Sequence, residues 1–269
     1  MNHKPWHSIF DAYKIHEHDF SKSPFILTAE QIKKATRESR PQVFVDNNLF
    51  ILPIKNGIYS ILQGEGYIDI PEITTKSSIY KSKLDFELET SQIGNSEMQH
   101  LDFAYASSLV RSFLEDDSLV LTIRGRKYTP KFEFYAGQHK QFITAESVQT
   151  EVDAGYEGRN QIVLIEAKNS ATKNTIIRQL YYPFRQWQIH TKKKVNILFF
   201  EKRKDTYSLW EFGFAHENDY NSIELLKSAK FEIQDNKKHQ PTLHTRQGYA
   251  LRVCWYCRHT ILLWFCSVA

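Results

Sequence analysis

The chain has 269 residues, 41% apolar and 25% charged, which is ordinary for a folded protein with room for one large or two small domains. It carries no signal peptide, and no apolar run reaches the roughly 20 residues of a membrane span, so a cytoplasmic protein with no membrane partner is expected. The net charge of +4 includes five Lys or Arg beyond Asp235, where no acid occurs. The rest of the chain is therefore near −1, and any affinity for a polyanion must come from local basic patches.

Residues 1–90 read as a small N-terminal α+β domain. Thr28-Ala-Glu-Gln31 is a capping box that opens a short basic helix to about Thr36 or Glu38. Val43-Phe-Val45, Leu49-Phe-Ile-Leu52 and Ile58-Tyr-Ser-Ile-Leu62 alternate with turn signals at Asp46-Asn-Asn48 and Lys55-Asn-Gly57. That pattern predicts a small sheet of hairpins. Residues Thr74 to Thr90 are polar and read as a linker.

The second domain is expected over 91–235. Ser96-Glu-Met-Gln99, another capping box, starts a helix to about Leu114 with Met98, Leu101, Tyr105, Leu109 and Phe113 on one face. Leu119-Val-Leu-Thr-Ile123 and Lys131-Phe-Glu-Phe-Tyr135 read as strands around Arg124-Gly-Arg-Lys127. Three cations at such a hairpin make either a phosphate clamp or an ordinary solvated turn. Val148 to Val152 alternates as a half-buried strand does, Glu157-Gly-Arg-Asn160 is turn chemistry, and Val163-Leu-Ile165 is a buried strand.

If these strands fold about Arg159 and Asn160, Asp153 lies opposite Glu166. Side chains alternate along a strand, so Glu166 and Lys168 share a face while Ala167 points away. Opposed residues have Cβ atoms roughly 4.5–5.5 Å apart. Two carboxylates at that spacing repel unless a hard cation such as Mg²⁺ lies between them. The plain alternative is a surface hairpin with solvated charges. The Glu-x-Lys pair ends a strongly apolar strand, which favours the cation. Beyond it, Asn174 to about His190 has helical periodicity, with Ile177, Leu180, Tyr181, Phe184 and Trp187 as an apolar stripe. Pro183 should kink or interrupt that helix. Arg178 and Arg185 flank the stripe, and Val195 to Phe200 and Tyr207 to Phe214 read as further strands.

From about Lys238 acids vanish and Cys, Trp, His and Arg crowd together without a period. Residues 236–269 read as an atypical C-terminal tail, either a chain ending read out of frame or a replaced terminus. Cys254-x-x-Cys257 with His259 and Cys266 is the only zinc-like spacing, and the apolar run Ile261-Leu-Leu-Trp-Phe265 favours incidental thiols over a four-ligand site.

Asp153, twelve residues, then Glu166-Ala-Lys168 resembles the signature of the PD-(D/E)XK nuclease superfamily. Val152 stands where many members have proline, and Gln179-Leu-Tyr-Tyr182 is similar to the Gln-containing helix of several branches. From about Trp6 to about Ile233 the chain is also similar to bacterial type II restriction endonuclease-like proteins. The segments that carry this are Leu52-Pro-Ile-Lys-Asn-Gly-Ile-Tyr59, Gly64-Glu-Gly-Tyr67, Glu97-Met-Gln-His-Leu-Asp102, Thr122-Ile-Arg-Gly-Arg-Lys127, Glu151 to Glu157, Arg178 to Pro183 and Leu209-Trp-Glu211.

The resemblance implies an α/β (α+β) fold, a restriction-endonuclease-like core with a mixed central sheet flanked by helices. It implies Mg²⁺-dependent hydrolysis of double-stranded DNA at a short specific site, by a homodimer working beside a cognate DNA methyltransferase. Asp153, Glu166 and the Ala167 carbonyl would hold the ion. Glu97, or less readily Asp102, would add an acid, although an acid in a helix's first turn also simply favours its dipole. Lys168 would assist the attacking water and Gln179 would position the site. Arg124, Arg126, Lys127, Arg178 and Arg185 would meet DNA, and the N-terminal domain would be either a DNA-reading module or a lid. Another superfamily nuclease, for repair or junction cutting, and an inactive DNA-binding protein are the alternatives.

Overall fold

The computed structural model describes residues 14–28 and 37–234. The helix expected over 29–36, Trp6 and the C-terminal tail with its cysteines lie outside these residues. The first elements are β1 (Phe25–Thr28), a one-turn helix α1 (Gln42–Asp46), β2 (Leu49–Lys55) and β3 (Ile58–Gln63). The strands form an antiparallel sheet in the order β1-β3-β2. Val43-Phe-Val45 is helical rather than extended. Pro41, with φ −57°, sets the turn at the helix start. Val43 and Phe44 then enter a small core with Ile15, Leu27, Leu49 and Ile61. The β2–β3 turn at Asn56-Gly57 uses a left-handed glycine, φ 74° at Gly57.

Both faces of this sheet are covered, which explains its near-continuous apolar runs. Leu49, Ile51, Tyr59 and Ile61 face the small core. Phe50, Leu52 and Leu62 face the large core, together with Leu164 and Tyr182 from far along the chain. The N-terminal sheet thus shares the large core with residues far along the chain. The next two strands already belong to the main body: β4 (Tyr67–Asp69) pairs with residues 174–176, and β5 (Ser78–Lys81) becomes a sheet edge where a linker was expected.

The main body continues with α2 (Glu97–Ala106), α3 (Leu109–Phe113), β6 (Val120–Tyr128), β7 (Phe132–Ala136), β8 (Gln141–Ala145), β9 (Gln149–Glu157) and β10 (Gln161–Lys168). It ends with β11 (Asn174–Ile176), α4 (Arg178–Gln188), β12 (Lys194–Arg203), β13 (Thr206–Phe214) and β14 (Ile223–Gln234). A seven-stranded sheet has the order β5-β14-β13-β12-β10-β9-β6. It is parallel at β10/β12 and β14/β5 and antiparallel elsewhere. The fold is therefore mixed α+β, mostly strand, with a large mixed sheet and few helices. Along β10, Val163, Ile165 and Ala167 pack with Leu101, Ala104 and Leu109 of α2 and α3. Ile162 and Leu164 pack with Leu180 and Tyr181 of α4 on the other face.

Four local expectations change. The helix from Glu97 stops at Ala106, because the Ser107 hydroxyl donates to the Ala104 carbonyl and Ser108 turns left-handed at φ 67°. Arg124 to Lys127 do not cap a hairpin; they lie inside β6, which pairs with β9, while β7 pairs with β8. Gly125, φ 79°, sits at a register shift of β6 against β9. Asn174–Ile176 extends to pair with β4, so the helix starts only at Arg178. Pro183 does not interrupt α4, whose Leu180, Tyr181, Tyr182 and Phe184 are all buried. No helix among the described residues is long and apolar enough to cross a membrane.

Candidate active site

The last ladder pair of β9 and β10 is Ala154 with Ile165. One step further the same register sets Asp153 across from Glu166, as a hairpin centred on Arg159 and Asn160 requires. Here the strands part: β10 continues beside β12 to Lys168, and the Asp153 carboxylate takes over from the ladder, accepting the Ala167 N–H at 2.7 Å. Glu166 turns toward α4. Its Oε1 accepts from Lys168 Nζ at 2.6 Å and from Gln179 Nε2 at 2.8 Å. The Thr175 hydroxyl donates to Gln179 Oε1 at 2.9 Å, which fixes the amide with its N–H₂ toward Glu166. From the other face, Ser96 caps α2 by accepting the Gln99 N–H at 3.1 Å. Glu97, the next residue, then accepts the Asn169 N–H at 3.3 Å, just past the end of β10. Glu97, Asp153, Glu166, Lys168 and Gln179 line one pocket of about 510 Å³.

Glu166 is only 9% exposed. Burial pushes its carboxyl up to about 7, with Asp153 and Glu97 adding to the rise and Lys168 opposing it. For Lys168, burial favours the neutral amine, but the Glu166 carboxylate outweighs that and holds its pKa above the usual value. Lys168 Nζ also donates to the Ala167 carbonyl at 2.8 Å, so a Glu166 oxygen and the Ala167 oxygen already converge on one cation. The donors are all oxygens, and repulsion of the buried Glu166 carboxylate by Asp153 and Glu97 favours a further positive charge; both features fit a hard divalent ion. Among the described residues no three His, Cys, Asp or Glu side chains come together as a group that could hold a metal ion. Two carboxylates and a main-chain carbonyl are the groups that suit the ion, with Glu97 at the pocket wall.

Residues 62–232 match the family described as Domain of unknown function (DUF6997). The chain belongs to the DUF6997 family. Residues 3–61 match a second family, Domain of unknown function (DUF6996). No curated protein and no solved structure matches. The two matches meet inside β3, and the pocket draws on both. The carboxylates, Lys168 and Gln179 lie in the DUF6997 part, while Pro53, Lys55, Asn56, Gly57 and Tyr59 come from the DUF6996 part.

Of the five cations expected to meet DNA, the DUF6997 fold brings Arg126 and Arg178 to the pocket. Arg126 is paired with Glu151 at 3.2 Å. Arg124 is turned to Asp102 and joined to it in an ion pair, and neither residue lines the pocket. Lys127 lies over the Trp187 ring, off the pocket. Arg185 is buried and structural, donating to the carbonyls of Glu133 and Glu217 and to the Tyr181 hydroxyl. Helical periodicity puts it on an open flank, but α4 is buried nearly all round. Sequence reasoning missed Thr175, because Asn174–Ile176 was read as helix, and Lys55, which was read only as a turn residue.

Proposed function

We propose that this DUF6997 protein is a Mg²⁺-dependent endonuclease of the PD-(D/E)XK type, cutting double-stranded DNA at a short specific site. The observation that carries the reading is the fork of β9 and β10, where Asp153 faces Glu166 with Lys168 two residues beyond and Gln179 holding Glu166. A mixed sheet with α2 and α4 on opposite faces supports a restriction-endonuclease-like core.

In this reading Asp153, Glu166 and the Ala167 carbonyl hold the ion. Bound Mg²⁺ supplies a Lewis acid for the phosphoryl oxygen and a water of lowered pKa. Gln179, locked by Thr175, keeps Glu166 aimed at the pocket. Lys168 presents a charged donor beside the attacked phosphorus, where it orients the water and offsets the charge that develops on the phosphoryl oxygens. As a restriction enzyme the protein would act in the cytoplasm as a homodimer, with a cognate methyltransferase protecting the host.

The test is digestion of a plasmid and phage DNA panel with Mg²⁺ or EDTA, wild type beside Asp153→Asn and Lys168→Ala. Discrete Mg²⁺-dependent fragments that both variants lose, by about 100-fold or more, are expected. Smearing lost in the variants would mean a non-specific or structure-directed nuclease. Cleavage retained in full by Lys168→Ala would refute the assignment, and a folded wild type that never cuts would leave a DNA-binding protein.

A further inference from the structure

The pocket holds four cationic side chains, and they fall into two kinds. Lys168 is paired with Glu166, and Arg126 with Glu151. Among the described residues, Lys55 and Arg178 have no carboxylate partner. Lys55 is exposed near the tip of the β2–β3 hairpin, and Arg178 is the first residue of α4, half-buried. A guanidinium withdrawn from water without a counter-charge is costly unless an anion joins it.

The hairpin that carries Lys55 is fixed in place. The Pro53 carbonyl accepts the Tyr182 hydroxyl of α4 at 2.9 Å, and the Ile54 carbonyl accepts the Glu146 N–H at 2.9 Å. Lys55 is thus held at the rim of the same pocket as the carboxylates, although it belongs to the DUF6996 match.

We propose that Lys55 and Arg178 together form a phosphate anchor, seating the sugar-phosphate backbone of a DNA strand across the pocket. The substrate class is a polynucleotide, and the DUF6996 part is a working wall of the site rather than a separate reader. A pocket lined by both carboxylates and unpaired cations suits a phosphodiester, whose charge the cations would meet while the acids would hold a divalent ion. This inference rests on the proposed nuclease reading for the identity of the anion.

The experiment is binding of a fluorescent 30-base-pair duplex, read by anisotropy across a salt series in Ca²⁺. It compares wild type with Lys55→Ala, Lys55→Glu, Arg178→Ala and the Lys55→Ala/Arg178→Ala double variant, each also assayed for cleavage in Mg²⁺. Each alanine variant is expected to weaken binding about 5- to 10-fold and to lower the salt slope by about one, with a larger loss for Lys55→Glu. Lys55 is exposed, so its variants report even if Arg178→Ala misfolds. Duplex binding that depends on both residues without any cleavage would keep the anchor and sink the nuclease. Cleavage with unchanged binding and salt slope in the Lys55 variants would keep the nuclease and overturn the anchor. A wild type that binds no duplex would overturn both.

Discussion

Glu166 is a carboxylate made reluctant to ionise by burial and by the nearby Asp153 and Glu97, with Lys168 offsetting only part of the cost. Its folded pKa of about 7 lies above the ordinary value of 4.5, so the native state binds the proton more tightly than the unfolded chain. This group's contribution is therefore most favourable below about pH 4.5, declines as pH rises toward 7, and stays low above it. The loss is on the order of 3 kcal/mol. Glu166→Gln removes it, so urea unfolding without divalent ions should show wild type losing more stability than the variant between pH 5 and pH 8. Equal losses would mean that Glu166 ionises freely. The facing of Asp153 and Glu166 was legible in the sequence because turn chemistry fixed the hairpin's centre and strand alternation fixed the rest. The pairing of Arg124 with Asp102 and the burial of Arg185 were not, because both depend on which helix covers which face.

At the scale of elements, the site depends on how β9 leaves β10. Gly155 is the residue that lets β9 lie close to β6. A Cβ there would stand 2.6 Å from the Ile123 Cβ and 3.0 Å from its Cδ1. Gly155→Ala must push β6 and β9 apart, two residues from Asp153. It is expected to cost about 1–3 kcal/mol of stability, measured by thermal or urea unfolding, and to weaken cleavage beyond its effect on folding. An unchanged unfolding midpoint would show that the strands shift freely. The strands β2, β3, β10, β12 and β13 were readable from apolar runs between turn signals, and β9 from its alternation. β14 was not, since most of its twelve residues are exposed and one of its two partners, β5, is remote and weakly patterned. The helix at Gln42–Asp46 was hidden by Val43-Phe-Val45, where burial of Val43 and Phe44 in the small core overrides their strand preference.

For the whole molecule, the N-terminal sheet is not an appendage. One face of it supplies Phe50, Leu52 and Leu62 to the core that supports α4 and β10. A chain shortened to begin at Gly64 would bare that core, and it should lose its cooperative thermal transition and its near-ultraviolet circular dichroism. A sharp transition within a few degrees of the full chain would show that the main body stands alone. The described residues of both expected domains fall in one compact unit, and the pocket is walled by residues of both family matches. The edge pairing of β5 with β14 joins residues roughly 150 positions apart. Contacts that distant raise the contact order and delay folding, because a large loop must close before they form. During synthesis Ser78–Lys81 waits for its neighbour until almost the whole described chain has emerged, and β13 meanwhile offers an open strand edge. Every acid of the pocket is translated before that edge is sealed, so the nascent chain carries its site some time before it closes its sheet, and it is then most exposed to pairing with another chain.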